Sequence, residues 1–180
     1  PYGNPNIPGD VEKYLNNFEV NIEFLQQIIS AAMSKGGDYA DLFFEDKIIN
    51  SIGLEDGKVN RSYSNIGFGV GIRVLKGDQT GFAYSESVDR NAVLSAARLA
   101  ANIANTSNSL DVPASLDIKK PANYYNIQRR WNDISIEDKV PFVQIITDKV
   151  FSLDKKVIKV NAFLTDETSN ILFFNSEGRL

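Results

Sequence analysis

Gly67, Gly69 and Gly71 fall at every second residue of the segment 66–74, and Arg73 continues the series. Side chains on a strand point alternately to opposite faces. One face of such a strand is stripped to hydrogen atoms and ends in a guanidinium, while Phe68, Val70 and Ile72 load the other. Glycine weakens a strand, so glycines at alternate positions mark close approach of another backbone, a packed element or a ligand. Two readings follow. Either a helix or second sheet presses on the stripe, or the stripe is a cleft wall that accepts an extended peptide, with backbone bonding from a strand edge and Arg73 paired with a carboxylate. In the second reading Gly67, Gly69, Gly71, Arg73 and, on the next strand, Gly81 are the candidate substrate-cleft residues, and Gly69→Val weakens peptide turnover without unfolding the protein. The segment is a poor nucleotide loop. A G-x-G-x-x-G fingerprint opens a helix, whereas Arg73 and Val74 continue a strand, and no Walker lysine follows.

The remaining chemistry is bounded by what the chain lacks. Its 180 residues contain no histidine and no cysteine. Disulfides, thiolate chemistry and a Ser-His-Asp triad are excluded, and a zinc site would have to use carboxylates alone, without the commonest zinc ligand. The reading is therefore of a chain with no catalytic residue, no metal ligand set and no cofactor of its own. Ser62, Ser64, Ser85 and Ser87 have no base nearby in sequence. Glu45-Asp46, Glu55-Asp56 and Asp166-Glu167 are adjacent pairs whose side chains diverge on a strand, so they read as solvated surface. A net charge of −4 repels phosphate backbones and argues against nucleic acid. The one basic knot, Arg129-Arg130 beside Trp131, reads as solvent-facing, with Trp131 anchoring a loop.

The elements that position these residues follow from periodicity. The first stretch holds three prolines, two glycines and two asparagines within ten residues, and residues 1–20 read as a flexible lead-in to a single domain over 21–180. The chain opens on Pro1 rather than Met, which fits either a processed leader or a trimmed start. Asn21 caps a helix to about Lys35, with Ile22, Leu25, Ile28, Ile29, Ala32 and Met33 as its apolar stripe and Gly36-Gly37 as its stop. Alternation then predicts strands over 39–54, 58–64, 66–75 and 79–84, with Asp56-Gly57 as a type I′ hairpin turn and Lys76-Gly77-Asp78 as the next turn. Asp89 caps a second helix to about Asn105, small on one face at Ala92, Ala96, Ala97, Ala100, Ala101 and Ala104, with Val93, Leu94, Leu99 and Ile103 as larger contacts. Residues 106–132, with Pro113 and Pro121, read as a long irregular excursion.

A third helix runs to about Leu153. Its cap is Ser135 or Asp138, and Asp138 is favoured because it places Pro141 in the first turn, where a missing N–H does no harm. Val143, Ile146, Val150 and Phe151 face its core. Strands over 157–164 and 171–174 follow, separated by a turn near 166–170. Asn175-Ser176-Glu177-Gly178 forms a last turn, after which a further element is expected. No internal repeat is present. The order of elements gives an α+β fold with a mainly antiparallel, curved sheet and helices packed on one face.

Taken in order, Gly37-Asp38-Tyr39-Ala40-Asp41, Gly57-Lys58-Val59, Gly69-Val70-Gly71-Ile72-Arg73-Val74, Gly81-Phe82-Ala83-Tyr84, the alanine helix and Asn175-Ser176-Glu177-Gly178 resemble the N-terminal domain of the TldD/PmbA family, over roughly residues 22–180. No single piece is specific; their order and spacing together are. The resemblance implies a zinc-dependent peptidase acting on peptides and small or unfolded proteins, assembled as a homodimer or as a heterodimer of an active chain with an inactive relative. It implies a His-Glu-x-x-x-His metal motif in a C-terminal domain, so zinc is expected outside this chain, and no metal or catalytic position transfers to it. The N-terminal sheet is implied to help enclose the substrate. Two alternatives stay open: a non-catalytic interaction domain of the inactive partner, or a free-standing peptide-binding module. The family default is cytoplasmic, with export left open by the start of the chain, and neither nucleic acid nor membrane is an expected partner.

Overall fold

The structure, a computed structural model, describes residues 8–102, 117–119, 124 and 127–180. Four helices occur among them: α1 Gly9–Asn17, α2 Ile22–Met33, α3 Arg90–Ala101 and α4 Ile136–Leu153. Four strands, β1 Tyr39–Glu55, β2 Lys58–Lys76, β3 Gln79–Ser85 and β4 Asn161–Asn175, form one antiparallel sheet in the order β3-β2-β1-β4. The expected α+β class is observed. The chain divides into two compact units, one of Pro1–Asp46, Phe68–Pro121 and Asn170–Leu180, the other of Lys47–Gly67 and Ala122–Ser169.

In the first unit the local signals act as read. Asn21 Oδ1 accepts from the Phe24 N–H at 2.8 Å, a cap contributing about 1 kcal/mol. The stripe behind it buries Leu25, Ile28, Ile29, Ala32 and Met33. Gly36 turns the chain at φ +81°, and Gly37 lets β2 approach, since a Cβ there would lie 2.6 Å from Val74 Cγ1. Asp89 accepts from the N–H groups of Asn91 and Ala92 at the start of α3. Ala96, Ala97, Ala100 and Ala101 are buried, and α3 packs on α2 and on β3. Leu99, expected among the packing contacts, is exposed; Ile103 and Ala104 lie outside the described residues. The core joins these helices to Ala40, Leu42 and Phe44 of β1, Val70, Ile72 and Val74 of β2, and Leu172 and Phe174 of β4. Phe18 sits at its centre, with ring centroids 5.7 Å from Phe44 and 5.9 Å from Phe68. Phe18, Leu15 and α1 fall within the stretch read as a lead-in, yet Leu15 and Phe18 are buried. Pro1–Ile7 lie outside the described residues.

The second unit departs further from the sequence reading. Ser135 caps α4, its hydroxyl accepting from the Asp138 N–H at 3.2 Å, and Pro141 lies inside the helix. The helix tolerates one missing bond to the Glu137 carbonyl because its buried side packs onto the sheet. That side is Lys139, Val143 and Thr147; Ile146, expected in the core, is exposed. Val143 packs with Ile52 and Leu54.

Two expected breaks are absent. β2 runs unbroken through Ser64-Asn65, and β4 runs unbroken through 166–170. In β4 the polar run reads as a turn but is satisfied across the sheet. Thr165 meets Ser51 at 3.2 Å, Asn50 donates to Asp166 at 3.0 Å, and Lys47 pairs with Glu167 at 2.9 Å. Asp166 is buried against Lys139 at 2.8 Å, so it is not the surface acid its sequence neighbours suggest. The Asp56-Gly57 turn has both residues at positive φ, 51° and 78°, as a type I′ turn requires.

Most of the irregular stretch 106–132 lies outside the described residues. Its described end holds a 3₁₀ turn at Trp131–Asp133, with the Lys139 ammonium 5.9 Å from the centroid of the Trp131 ring. Arg129 donates to the Asp133 carbonyl and lies 3.7 Å from Asp138.

Candidate substrate face of the sheet

Among the described residues of the first unit, the strands present one face to the helices and leave the other exposed. Val70, Ile72 and Val74 are fully buried on the helix side. Gly69, Gly71 and Arg73 therefore share the opposite face, as their alternation predicts. The β2–β3 register sets Arg73 beside Phe82 and Gly71 beside Tyr84, so both aromatic residues stand on that face as well.

They also fill it. A Cβ on Gly71 would lie 3.2 Å from Phe82 Cε2. On Gly69 it would collide with the Ser85 carbonyl and lie 2.8 Å from Tyr84 Oη. The Tyr84 hydroxyl donates to the Phe68 carbonyl at 3.2 Å, which pins the ring across the strand. The glycines are bare so that aromatic rings of the neighbouring strand can lie over them, an arrangement known for strand glycines. Among the described residues it is neither a helix nor a second sheet that lies against Gly69 and Gly71 but the Phe82 and Tyr84 rings of the adjacent strand, and these face outward.

Not all the candidates come together. Gly81 is opposite Val74 in the register and is buried, which puts it on the helix-covered face, away from Gly69 and Gly71. Gly81 shares its side of β3 with the buried Ala83, while Phe82 and Tyr84 share the other. Gly67 belongs to the second unit, where an added Cβ would come no closer than 4.0 Å to Lys47 Cβ.

Arg73 finds its carboxylate within the fold. Its Nε donates to Asp41 Oδ1 at 3.3 Å and Oδ2 at 3.1 Å, and Nη2 also bonds Oδ2. Asp41 is buried while Arg73 stays half-exposed. The hydrogen bond to Asp41 holds the guanidinium pKa above its ordinary value. Next to the pair, burial raises the Tyr39 phenol, opposed by the Asn175 amide that donates to it at 3.2 Å. Asn175 Oδ1 in turn accepts from the N–H groups of Glu177 and Arg179, which builds the predicted 175–178 turn.

The residues that sequence reasoning missed are aromatic. Phe82 and Tyr84 are 62% and 54% exposed, Phe43 and Phe173 41% and 38%. The contacts of Asn170 with Asp46 and of Asn50 with Asp166 share one antiparallel offset, which sets Phe173 opposite Phe43. The available signal was that β1 and β4 carry paired phenylalanines, Phe43-Phe44 and Phe173-Phe174, so apolar side chains emerge on both faces. What results is an exposed aromatic surface on one face of the first unit. Among the described residues no group of three or more His, Cys, Asp or Glu side chains could hold a metal ion, and the chain's donor set does not suit zinc. No helix among them is long and apolar enough to cross a membrane.

Residues 40–104 match the family model described as PmbA/TldA metallopeptidase domain 1. The chain is 24% identical over 94% of its length to the "Metalloprotease TldD homolog" of Buchnera aphidicola subsp. Schizaphis graminum, and 26% identical over 89% to that of Haemophilus influenzae. It is 28% identical over 88% to "Metalloprotease MJ0996" of Methanocaldococcus jannaschii. The chain spans about a third of the length of these relatives, 35%, 34% and 35% respectively. Its fold is similar to that of a candidate modulator of DNA gyrase from Bacteroides thetaiotaomicron, with a TM-score of 0.62 at 14% identity over 87% of this chain and 36% of the other. A second, from Thermotoga maritima, has a TM-score of 0.61 at 17% identity over 87% of this chain and 35% of the other.

Proposed function

We propose that this chain is the N-terminal, substrate-enclosing domain of a zinc metallopeptidase that acts on peptides and small or unfolded proteins, the metal and the catalytic residues lying in another domain of the same protein. The supporting observation is the open face of the first unit. Phe43, Phe82, Tyr84 and Phe173 stand exposed on the side of the sheet that its helices leave uncovered. Grouped exposed apolar residues mark a surface used for binding, and aromatic side chains grip a chain of varied sequence through area rather than through specific polar pairing.

The residues of this chain bind and orient; they do not move protons at the scissile bond. Phe43 and Phe82 supply area, Tyr84 closes the glycine stripe, and the Asp41–Arg73 pair bounds the face with a half-exposed cation. Zinc, bound elsewhere, would polarise the peptide carbonyl and activate water.

The test is Phe43→Ser together with Phe82→Ser in the full-length protein, assayed on an unfolded peptide. Loss of binding area alone raises KM, by about tenfold, and leaves kcat and zinc content unchanged. An unaltered KM in a folded variant overturns the reading. Dissociation of the protein complex, with KM unchanged, would instead assign the face to the alternative role, an interaction domain of the inactive partner.

A further inference from the structure

Among the described residues, β2 has a long edge with no strand beside it. β3 pairs with β2 only from Val70↔Ser85 to Lys76↔Gln79. The order β3-β2-β1-β4 gives β2 no other neighbour in the sheet but β1. Among the described residues, the part of β2 in the second unit, from Lys58 to Gly67, therefore has a strand on one side only. Every residue in that stretch is exposed. An open edge of this kind is a row of unpaired N–H and C=O groups that templates another strand. Proteins commonly blunt such edges with proline, a bulge or charged side chains; this one contains no proline, is strand throughout, and carries Lys58 and Arg61 as its only charges.

Its charge is one-sided. The stretch carries Lys58 and Arg61 and no carboxylate, in a chain whose net charge is −4. Among the described residues neither cation has an ion pair. The carboxylate nearest in the hairpin, Glu55, is already held by Lys159 and by the Asn60 amide at 3.0 Å. A cavity of about 560 Å³ borders the middle of the edge, lined by Ser62, Tyr63 and Ser64 with Asn50, Asn132 and Ile134 among its walls. It has room and hydrogen-bonding groups for one polar side chain.

We propose that the β2 edge, Lys58–Gly67, docks an extended acidic segment of a partner protein by strand addition. Main-chain hydrogen bonds supply the affinity, Lys58 and Arg61 select carboxylates, and the cavity beside Ser62–Ser64 receives a side chain of the incoming strand. A second copy of this chain is the poorer occupant, because pairing the edge with itself gathers the cations of both copies with no acid to offset them. The inference is independent of the aromatic face and of the peptidase reading.

The experiment is a fluorescence-anisotropy titration of the protein with three labelled peptides. One repeats Glu-Thr-Thr, so that its acids fall three residues apart and on opposite faces as Lys58 and Arg61 do, one has Lys in place of Glu, and one is the acidic peptide N-methylated along the edge that would pair. The acidic peptide binds, less tightly as salt is raised. The lysine peptide binds at least about tenfold more weakly, and N-methylation abolishes binding. Lys58→Glu with Arg61→Glu, verified as folded by circular dichroism, reverses the preference between acidic and basic peptides. No binding, equal binding of the N-methylated peptide, or equal binding of the lysine peptide overturns the proposal. Self-association that N-methylation-insensitive sedimentation detects and the double variant abolishes also overturns it, in favour of a second copy. If the double variant fails to fold, the N-methylated and lysine peptides on the unaltered protein decide alone.

Discussion

At the scale of single residues, the glycine stripe separates into positions with different physics. Gly69 lies under Tyr84 and against the Ser85 carbonyl, while a Cβ on Gly67 would meet nothing nearer than Lys47 Cβ at 4.0 Å. Gly69→Val must displace backbone, and the expected loss of stability is about 3 kcal/mol. Gly67→Ala is expected to stay within about 0.5 kcal/mol of the parent. Urea unfolding of the two variants checks both values, and equal stabilities would mean that the rings do not press on the stripe. In this geometry Gly69→Val disturbs the strand itself as well as anything that lies on the face. Spacing had disclosed that the face was bare. It could not disclose that Phe82 and Tyr84 lie across it, because a diagonal contact depends on the register between strands.

Asp38 offers a second test at this scale. The Gly77 N–H, donating at 2.8 Å, and then the Lys76 ammonium hold its pKa below the usual carboxylate value. A carboxylate with a lowered folded-state pKa contributes stability above its unfolded pKa and loses it as pH falls through the folded one. Glu55 follows the same sign, lowered first by Lys159 and then by Asn60. Asp38→Asn with Glu55→Gln should therefore be less stable than the parent at pH 7, with the gap closing as pH falls below about 4. Thermal melts across that range check it; a gap that stays constant with pH would show that neither charge matters.

At the scale of elements, α4 is held by an ion pair whose acid, Asp166, sequence reasoning placed on the surface. The side chains of Lys139 and Asp166 are 5% and 2% exposed, and Asn50 satisfies a second lone pair of the acid. Burying two charges is costly, and their mutual attraction roughly offsets that cost only while both are present. Lys139→Met alone should destabilise by about 3–5 kcal/mol, because it strands Asp166. Lys139→Met with Asp166→Leu should recover most of the loss. Denaturation of both variants measures it, and a double variant no better than the single one would refute the pairing argument. The same element shows why its cap was misjudged. Pro141 costs one backbone bond wherever Ser135 is the cap, and local accounting favoured Asp138; the tertiary contacts of Lys139, Val143 and Thr147 outweigh that bond.

At the scale of the molecule, much of the architecture followed from composition and period alone. Asn21, Asp89 and Asp56-Gly57 act over three or four residues, so caps and the hairpin turn were legible without any partner. The helical stripe of α2 and the alternation of Val70, Ile72 and Val74 announced a helix-covered sheet for the same reason. The absence of histidine and cysteine had already excluded thiol chemistry and the imidazole ligands of a zinc site. Only the tertiary structure decided that β2 and β4 continue through polar residues, because their satisfaction comes from strands and helices distant in sequence. It alone decided that Gly81 leaves the candidate face and that Phe43, Phe82, Tyr84 and Phe173 enter it. Period tells which residues of one strand share a side; which sides of different strands coincide is fixed by register, and register is a property of pairs.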